Sequence, residues 1–135
     1  MLRNRDSVRT SVKILVERGL LKSTADGVQL TDAGRRYVER KMVRPARPQK
    51  WDRKWRIVIF DVPESRRRAR DVLRETLIRV GFYRLQGSVW VYPYDCEELI
   101  TLLKADYKLG KEVLYIIADK LEGDYRIKGH FQITK

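Results

Sequence analysis

The sequence predicts an α+β protein in two parts, and three observations carry that reading. Apolar residues recur at helical spacing in several segments, as at Val8, Val12, Leu15 and Val16. Other segments, such as Trp55-Arg56-Ile57-Val58-Ile59-Phe60, are short and dense in strand-forming residues. Between the two kinds of pattern lies Arg44-Pro45-Ala46-Arg47-Pro48-Gln49-Lys50. Its prolines lack a backbone donor and push their predecessors out of helix, so it reads as a linker. The expected organisation is a first part at 1–43, a linker at 44–54 and a second part at 55–135.

Composition narrows the class. Of 135 residues, 43% are hydrophobic and 36% charged, as in globular chains. No apolar run has the roughly 18 residues that cross a bilayer, and the start, Met1-Leu2-Arg3-Asn4, has no signal-peptide character. No membrane association is expected. Cys96 is the one cysteine, which excludes an intramolecular disulfide and fits a reducing cytoplasm. The net charge is +12 and the pI about 10.1. Residues 1–50 carry 13 Lys/Arg against 5 Asp/Glu, residues 51–135 carry 17 against 13. A field of this sign attracts polyanions, and without a membrane-binding segment nucleic acid is the expected one.

In the first part, Ser7 suits a helix start and Gly19 the left-handed position past its end. Leu20-Leu21-Lys22 and Val28-Gln29-Leu30 are strand candidates, joined by the turn signal Asp26-Gly27. Thr31 is placed to cap a helix running to about Met42, with Tyr37 and Val38 on its apolar side. In the second part the order is β-α-β-β-α-β. A strand at 55–60 precedes a helix from about Arg66 to Val80 that stops at Gly81. A hairpin comes next around Gln86-Gly87, then a helix over Glu97 to Tyr107 and a strand over Val113 to Ala118. That order predicts a split-βαβ, ferredoxin-like domain. Phe131-Gln132-Ile133 alternates like a further strand, able to extend the sheet edge of a second copy.

Helix, glycine, two leucines, a Gly-tipped hairpin and Leu30-Thr31-Asp32-Ala33-Gly34 opening another helix together resemble the second half of a winged helix. The resemblance makes the first helix the recognition helix. With Val8, Val12 and Leu15 turned inward, Arg9, Thr10 and Lys13 lie outward, toward bases or phosphates, and Lys22 belongs to the wing. The alternative is a solvated helix face. Only six residues precede Ser7, so the two earlier helices of such a domain are expected from chain outside this sequence, from a partner, or to be replaced by docking on the second part. Ile14 points away from the apolar stripe and needs cover.

The stretch Trp51-Asp52-Arg53-Lys54 through Phe60-Asp61-Val62-Pro63-Glu64, then Arg66-Arg67, then Gly81-Phe82-Tyr83 through Val91-Tyr92-Pro93-Tyr94, resembles the central domain of the PaaX-type transcriptional repressors. It is also similar to the small ferredoxin-like CRISPR-associated adaptation subunit, often described as an endoribonuclease. The first resemblance implies a DNA-binding regulator that pairs two copies through the ferredoxin-like domain, with double-stranded DNA as partner. The second implies a dimeric nucleic-acid-binding subunit in which Asp61 is catalytic. There Asp61 of two chains would share a metal such as Mg²⁺, since one carboxylate holds Mg²⁺ poorly alone. Arg66 and Arg67 would hold phosphates. The bland reading has Asp61 capping its turn and pairing with those arginines. No cofactor beyond a possible Mg²⁺ is expected. His130 has no companion ligand for zinc. Cys96 has no evident base, and Trp55 and Trp90 fit a core or an interface better than base stacking.

Overall fold

The computed structural model describes residues 12–43 and 49–133. It is an α+β structure that divides by contact into two compact units, Met1–Val43 with Glu97–Gly110, and Arg44–Cys96 with Lys111–Lys135. The helix at 97–106, read from sequence within the second part, groups by its contacts with the first.

In the first unit residues 12–17 are helical (α1) and bury Leu15. Two strands come next, β1 (Leu21–Thr24) and β2 (Gly27–Leu30), paired antiparallel from Leu21 opposite Leu30 to Thr24 opposite Gly27. The tip of the hairpin is therefore Ala25-Asp26, with Gly27 just past it at φ 130°. Helix α2 (Asp32–Lys41) starts as expected, since the Thr31 hydroxyl accepts the Gly34 N–H at 3.0 Å. The same hydroxyl donates to the Gly19 carbonyl at 2.6 Å, which ties the helix start to the end of α1. Ile14 remains 41% exposed.

The second unit is a four-stranded antiparallel sheet in the order β4-β5-β3-β6, with β3 at Trp55–Phe60, β4 at Tyr83–Gln86, β5 at Val89–Tyr92 and β6 at Val113–Ala118. This is the ferredoxin-like order that the β-α-β-β-α-β pattern predicts. Helix α3 (Arg67–Val80) buries Leu73, Leu77 and Val80, and ends on Gly81 at φ 115°, whose N–H returns to Leu77 and Ile78. Strand alternation puts Val58, Phe60, Trp90 and Val113 on one face, all buried. On the other face Trp55 and Val91 form a core with Ile127, and Trp51, Ile57, Tyr83, Leu121, Phe131 and Ile133 pack around it. The remaining helix of the β-α-β-β-α-β order, α4 (Glu97–Asp106), packs within the first unit. It lies against α2 and β2 and buries Leu99, Ile100, Leu102 and Leu103.

The core around Trp55 corrects the sequence reading of the last residues. No strand forms at 131–133. Tyr125–His130 is a helix, α5, and Phe131 is its C-cap. Ile127 and Phe131 are four apart and so share one helical side, which serves the sheet face better than a flat strand. The Trp55 indole N–H donates to Asp124 at 3.1 Å just before the helix.

Among the described residues Arg56 is the buried charge, 5% exposed near the start of β3. It is held by a two-pronged pair to Asp52 (Nη1–Oδ1 2.7 Å, Nη2–Oδ2 2.8 Å), and Nη1 also donates to the carbonyls of Lys54 and Pro93. The chain makes this possible by turning through Arg53 at φ 72°. The hydrogen bond from Arg56 holds the Asp52 carboxyl down at about 2. Because the folded pKa lies below its ordinary 3.8, the pair stabilises the fold fully above about pH 4, and that contribution disappears as pH falls toward about 2. Asp52 is half-exposed, so the expected loss in Asp52→Asn at pH 7 is only about 1 kcal/mol after screening. Thermal melts from pH 6 to pH 2 check this: the gap between parent and Asp52→Asn should close with acid, and a gap constant over that range contradicts the assignment.

Candidate nucleic-acid interface

The first unit presents cations on three elements. Lys13 is exposed on α1, Lys22 is exposed on β1 opposite Gln29, and Arg36 and Arg40 are exposed four residues apart on α2. Among the described residues none of these four has an ion pair. Arg9 and Thr10 lie outside the described residues. Arg36 and Arg40 escaped the sequence reading, although a four-residue spacing that shares one side of a helix is legible in sequence.

Two further cations of this unit are neutralised. Arg18 pairs with Glu98 at 2.8 Å, and Arg35 reaches Asp106 at 3.9 Å. Glu98 also accepts from the Tyr37 hydroxyl at 3.0 Å. Burial opposes ionisation of Glu98, but the Arg18 and Tyr37 hydrogen bonds, with the charges of Arg18 and Lys41, outweigh it and hold its carboxyl below the usual range. Lys41 stands 5.3 Å from the Tyr37 ring centroid. The carboxylates come from chain some sixty to eighty residues away, a pairing that local sequence patterns do not reveal.

In the second unit Asp61 directly succeeds β3. Its side chain is exposed, and its main-chain N–H donates to the Glu112 carbonyl at 2.8 Å. Arg66 is half-buried at the end of a short 3-10 turn, Glu64–Arg66, and Arg67 is exposed at the start of α3. Arg67 pairs with Glu64 at 3.3 Å and Arg70 with the same carboxylate at 3.1 Å. Arg67 is thus joined to Glu64 rather than to Asp61. Among the described residues no group of three or more His, Cys, Asp or Glu side chains of one chain is placed to hold a metal ion. The surface hollow beside this turn is lined by Glu64, Arg67, Arg68, Asp71 and Glu75 among others, so its charge is mixed. Trp55 and Trp90 are both buried, and His130 packs edge-on against Tyr83 and Phe131.

A family model for the PaaX protein central Cas2-like domain matches residues 48–127. The chain belongs to the PaaX family. No curated protein matches it. Among solved structures, an uncharacterized protein from Mycobacterium tuberculosis is similar at 23% identity and a TM-score of 0.45, over 95% of this chain and 53% of that one. The PaaX-family chain thus spans about half the length of that protein. The match to the family covers the sheet of the second unit and stops midway through α5, and it leaves residues 1–47 outside.

The geometry of the first unit rests on one close approach. Gly34, in the first turn of α2, lies so near the Leu20 carbonyl that a Cβ would collide with that oxygen, and would meet Leu30 Cδ1 at 3.0 Å. In an open helix, Gly→Ala gains up to about 1 kcal/mol. Here overpacking against main chain wins, so Gly34→Ala should cost about 1–3 kcal/mol. Chemical denaturation measures it, and a variant as stable as the parent would show that the hairpin does not sit on α2 as described.

Proposed function

We propose that the chain is a DNA-binding transcriptional regulator of PaaX-like type, in which the first unit contacts double-stranded DNA as the latter half of a winged helix and the second unit joins two copies. The observation that carries this reading is the exposed charge of the first unit, Lys13, Lys22, Arg36 and Arg40, without an ion pair among the described residues and set on a helix–hairpin–helix. Cations placed on a helix, a wing and a second helix suit a duplex, whose phosphates lie along two strands. Membership of the PaaX family supports the regulatory role. Apolar side chains left exposed on the sheet, Leu114 and Ile116, support dimerisation through the second unit. Light scattering of the full chain should give twice its 16.1 kDa mass.

Phosphate contacts release counterions, so affinity should fall steeply with salt. Each of Lys13→Ala and Lys22→Ala should lower the slope of log affinity against log salt by about 1. Parent-like slopes in both variants, in fluorescence anisotropy with duplex DNA, would remove the first unit from the interface.

The nuclease reading makes a different demand on Asp61. Its exposed carboxylate has no partner to lose among the described residues, so Asp61→Asn should change stability by less than about 0.5 kcal/mol. We expect no Mg²⁺- or Mn²⁺-dependent cleavage of RNA or DNA by the parent. Cleavage that requires added metal and vanishes in Asp61→Asn would replace the regulator reading with an enzymatic one.

A further inference from the structure

The two edges of the four-stranded sheet are built differently. On one side β4 has only four residues, carries Arg84, and breaks register between Arg84 and Gln86. Short length, charge and a bulge are the devices that prevent a further strand from adding. On the other side β6 runs six residues, Val113–Ala118, without a charge, a proline or a break in its register with β3. Its direction of pairing is fixed by the Asp61 N–H, which reaches the Glu112 carbonyl. Main-chain groups alternate in an antiparallel ladder, so 112, 114, 116 and 118 face β3, whereas Tyr115 and Ile117 aim theirs at the open edge. Leu114 and Ile116 stand on the sheet face beside that edge, 53% and 38% exposed.

We propose that β6 is the seam between two copies of this chain, paired antiparallel across a two-fold axis at Ile116 to make a continuous eight-stranded sheet. The proposal rests on the dimer reading above and assigns it a surface. With the axis at Ile116, Tyr115 of each copy exchanges N–H···O=C bonds with Ile117 of the other. The two Ile116 side chains meet directly, Leu114 lies opposite Ala118, and Glu112 lies opposite Lys120, so the charged flanks of the apolar strand attract at both ends. Sliding the pairing by one residue places Glu112 against Asp119 and aims the open main-chain groups past each other. A second copy fits because an isologous interface needs a self-complementary patch, and this strand is one.

The test uses the full chain. A directly opposed, non-hydrogen-bonded pair holds its Cα atoms about 4.5 Å apart, within the range of about 4.4–6.8 Å that a disulfide spans. Ile116→Cys should therefore cross-link to a dimer under mild oxidation. Leu114→Cys, four residues out of step with its counterpart, should not, and neither should the parent, whose Cys96 is buried. Ile117→Pro removes an outward N–H that the chain's own sheet does not use, and should weaken the dimer at least tenfold with its circular dichroism unchanged. If the parent is a dimer but Ile116→Cys fails to cross-link, or a folded Ile117→Pro remains as dimeric as the parent, the β6 seam is wrong and the dimer reading stands. A monomeric parent in light scattering overturns both. If Ile117→Pro does not fold, the cysteine pair decides alone.

Discussion

A central strand that buries side chains on both faces has to be covered on both faces, and β3 sets that condition for the second unit. Trp55, Val58 and Phe60 are all nearly inaccessible although they alternate between opposite sides. One side carries Val58, Phe60, Trp90 and Val113, all buried, and α3, the crossover helix between β3 and β4, buries its stripe of Leu73, Leu77 and Val80. The other side has no crossover helix. The chain covers it with the segment after β6, which brings Leu121, Ile127 and Phe131 onto Trp55 and Val91. That segment reaches only part of the face, which is why Leu114 and Ile116 remain in water. Their exposure comes from the topology and from the length of one short helix.

Features determined within a few residues were legible in the sequence. Thr31 caps α2, Gly81 stops α3, and the strand at 55–60 and the β-α-β-β-α-β order are where the residue pattern placed them. Features determined by distant chain were not. Phe131 and Ile133 alternate as a strand would, but Ile127 lies four residues before Phe131, and burial on the Trp55 face selects the helical spacing. The pair Asp52–Arg56 has the separation of a helical ion pair, yet the residues lie in a turn and a strand, and only the left-handed Arg53 brings the carboxylate round. Of the candidate residues, Lys13 lies outward, as the helical spacing placed it. The pairing of Arg67 with Glu64 required the fold.

Charge in the first unit is distributed by the same logic of cover. Its elements 12–43 are small, and by themselves near the lower limit at which a core sustains folding. The deficit is made up by α4, whose Leu99, Ile100, Leu102 and Leu103 are buried and which lies against α2 and β2. The helix also delivers Glu98 to Arg18 and Tyr37, and Asp106 toward Arg35. These carboxylates engage Arg18 and Arg35, whereas Lys13, Lys22, Arg36 and Arg40 have no ion pair among the described residues. The polarity of the unit is therefore made partly by acids that belong, along the chain, to the ferredoxin-like order.

This places a constraint on how the chain divides. Cutting after Val43 separates what the linker separates in sequence, but it removes α4 from the first unit, and with it both the apolar cover and the carboxylate that engages Arg18 and Tyr37. The same cut leaves α4 on the second fragment with nothing of α2 and β2 to pack against. Its start would still be held there, because the Cys96 N–H, just before the helix, donates to the Tyr115 hydroxyl of β6 at 3.3 Å. The sequence has two parts by composition, yet the fold has a helix whose chain position and contacts assign it to different ones. Folding of the first unit thus depends on chain that comes after three strands of the second. A first unit made this way acquires its apolar cover and its carboxylates only once three strands of the second have been laid down.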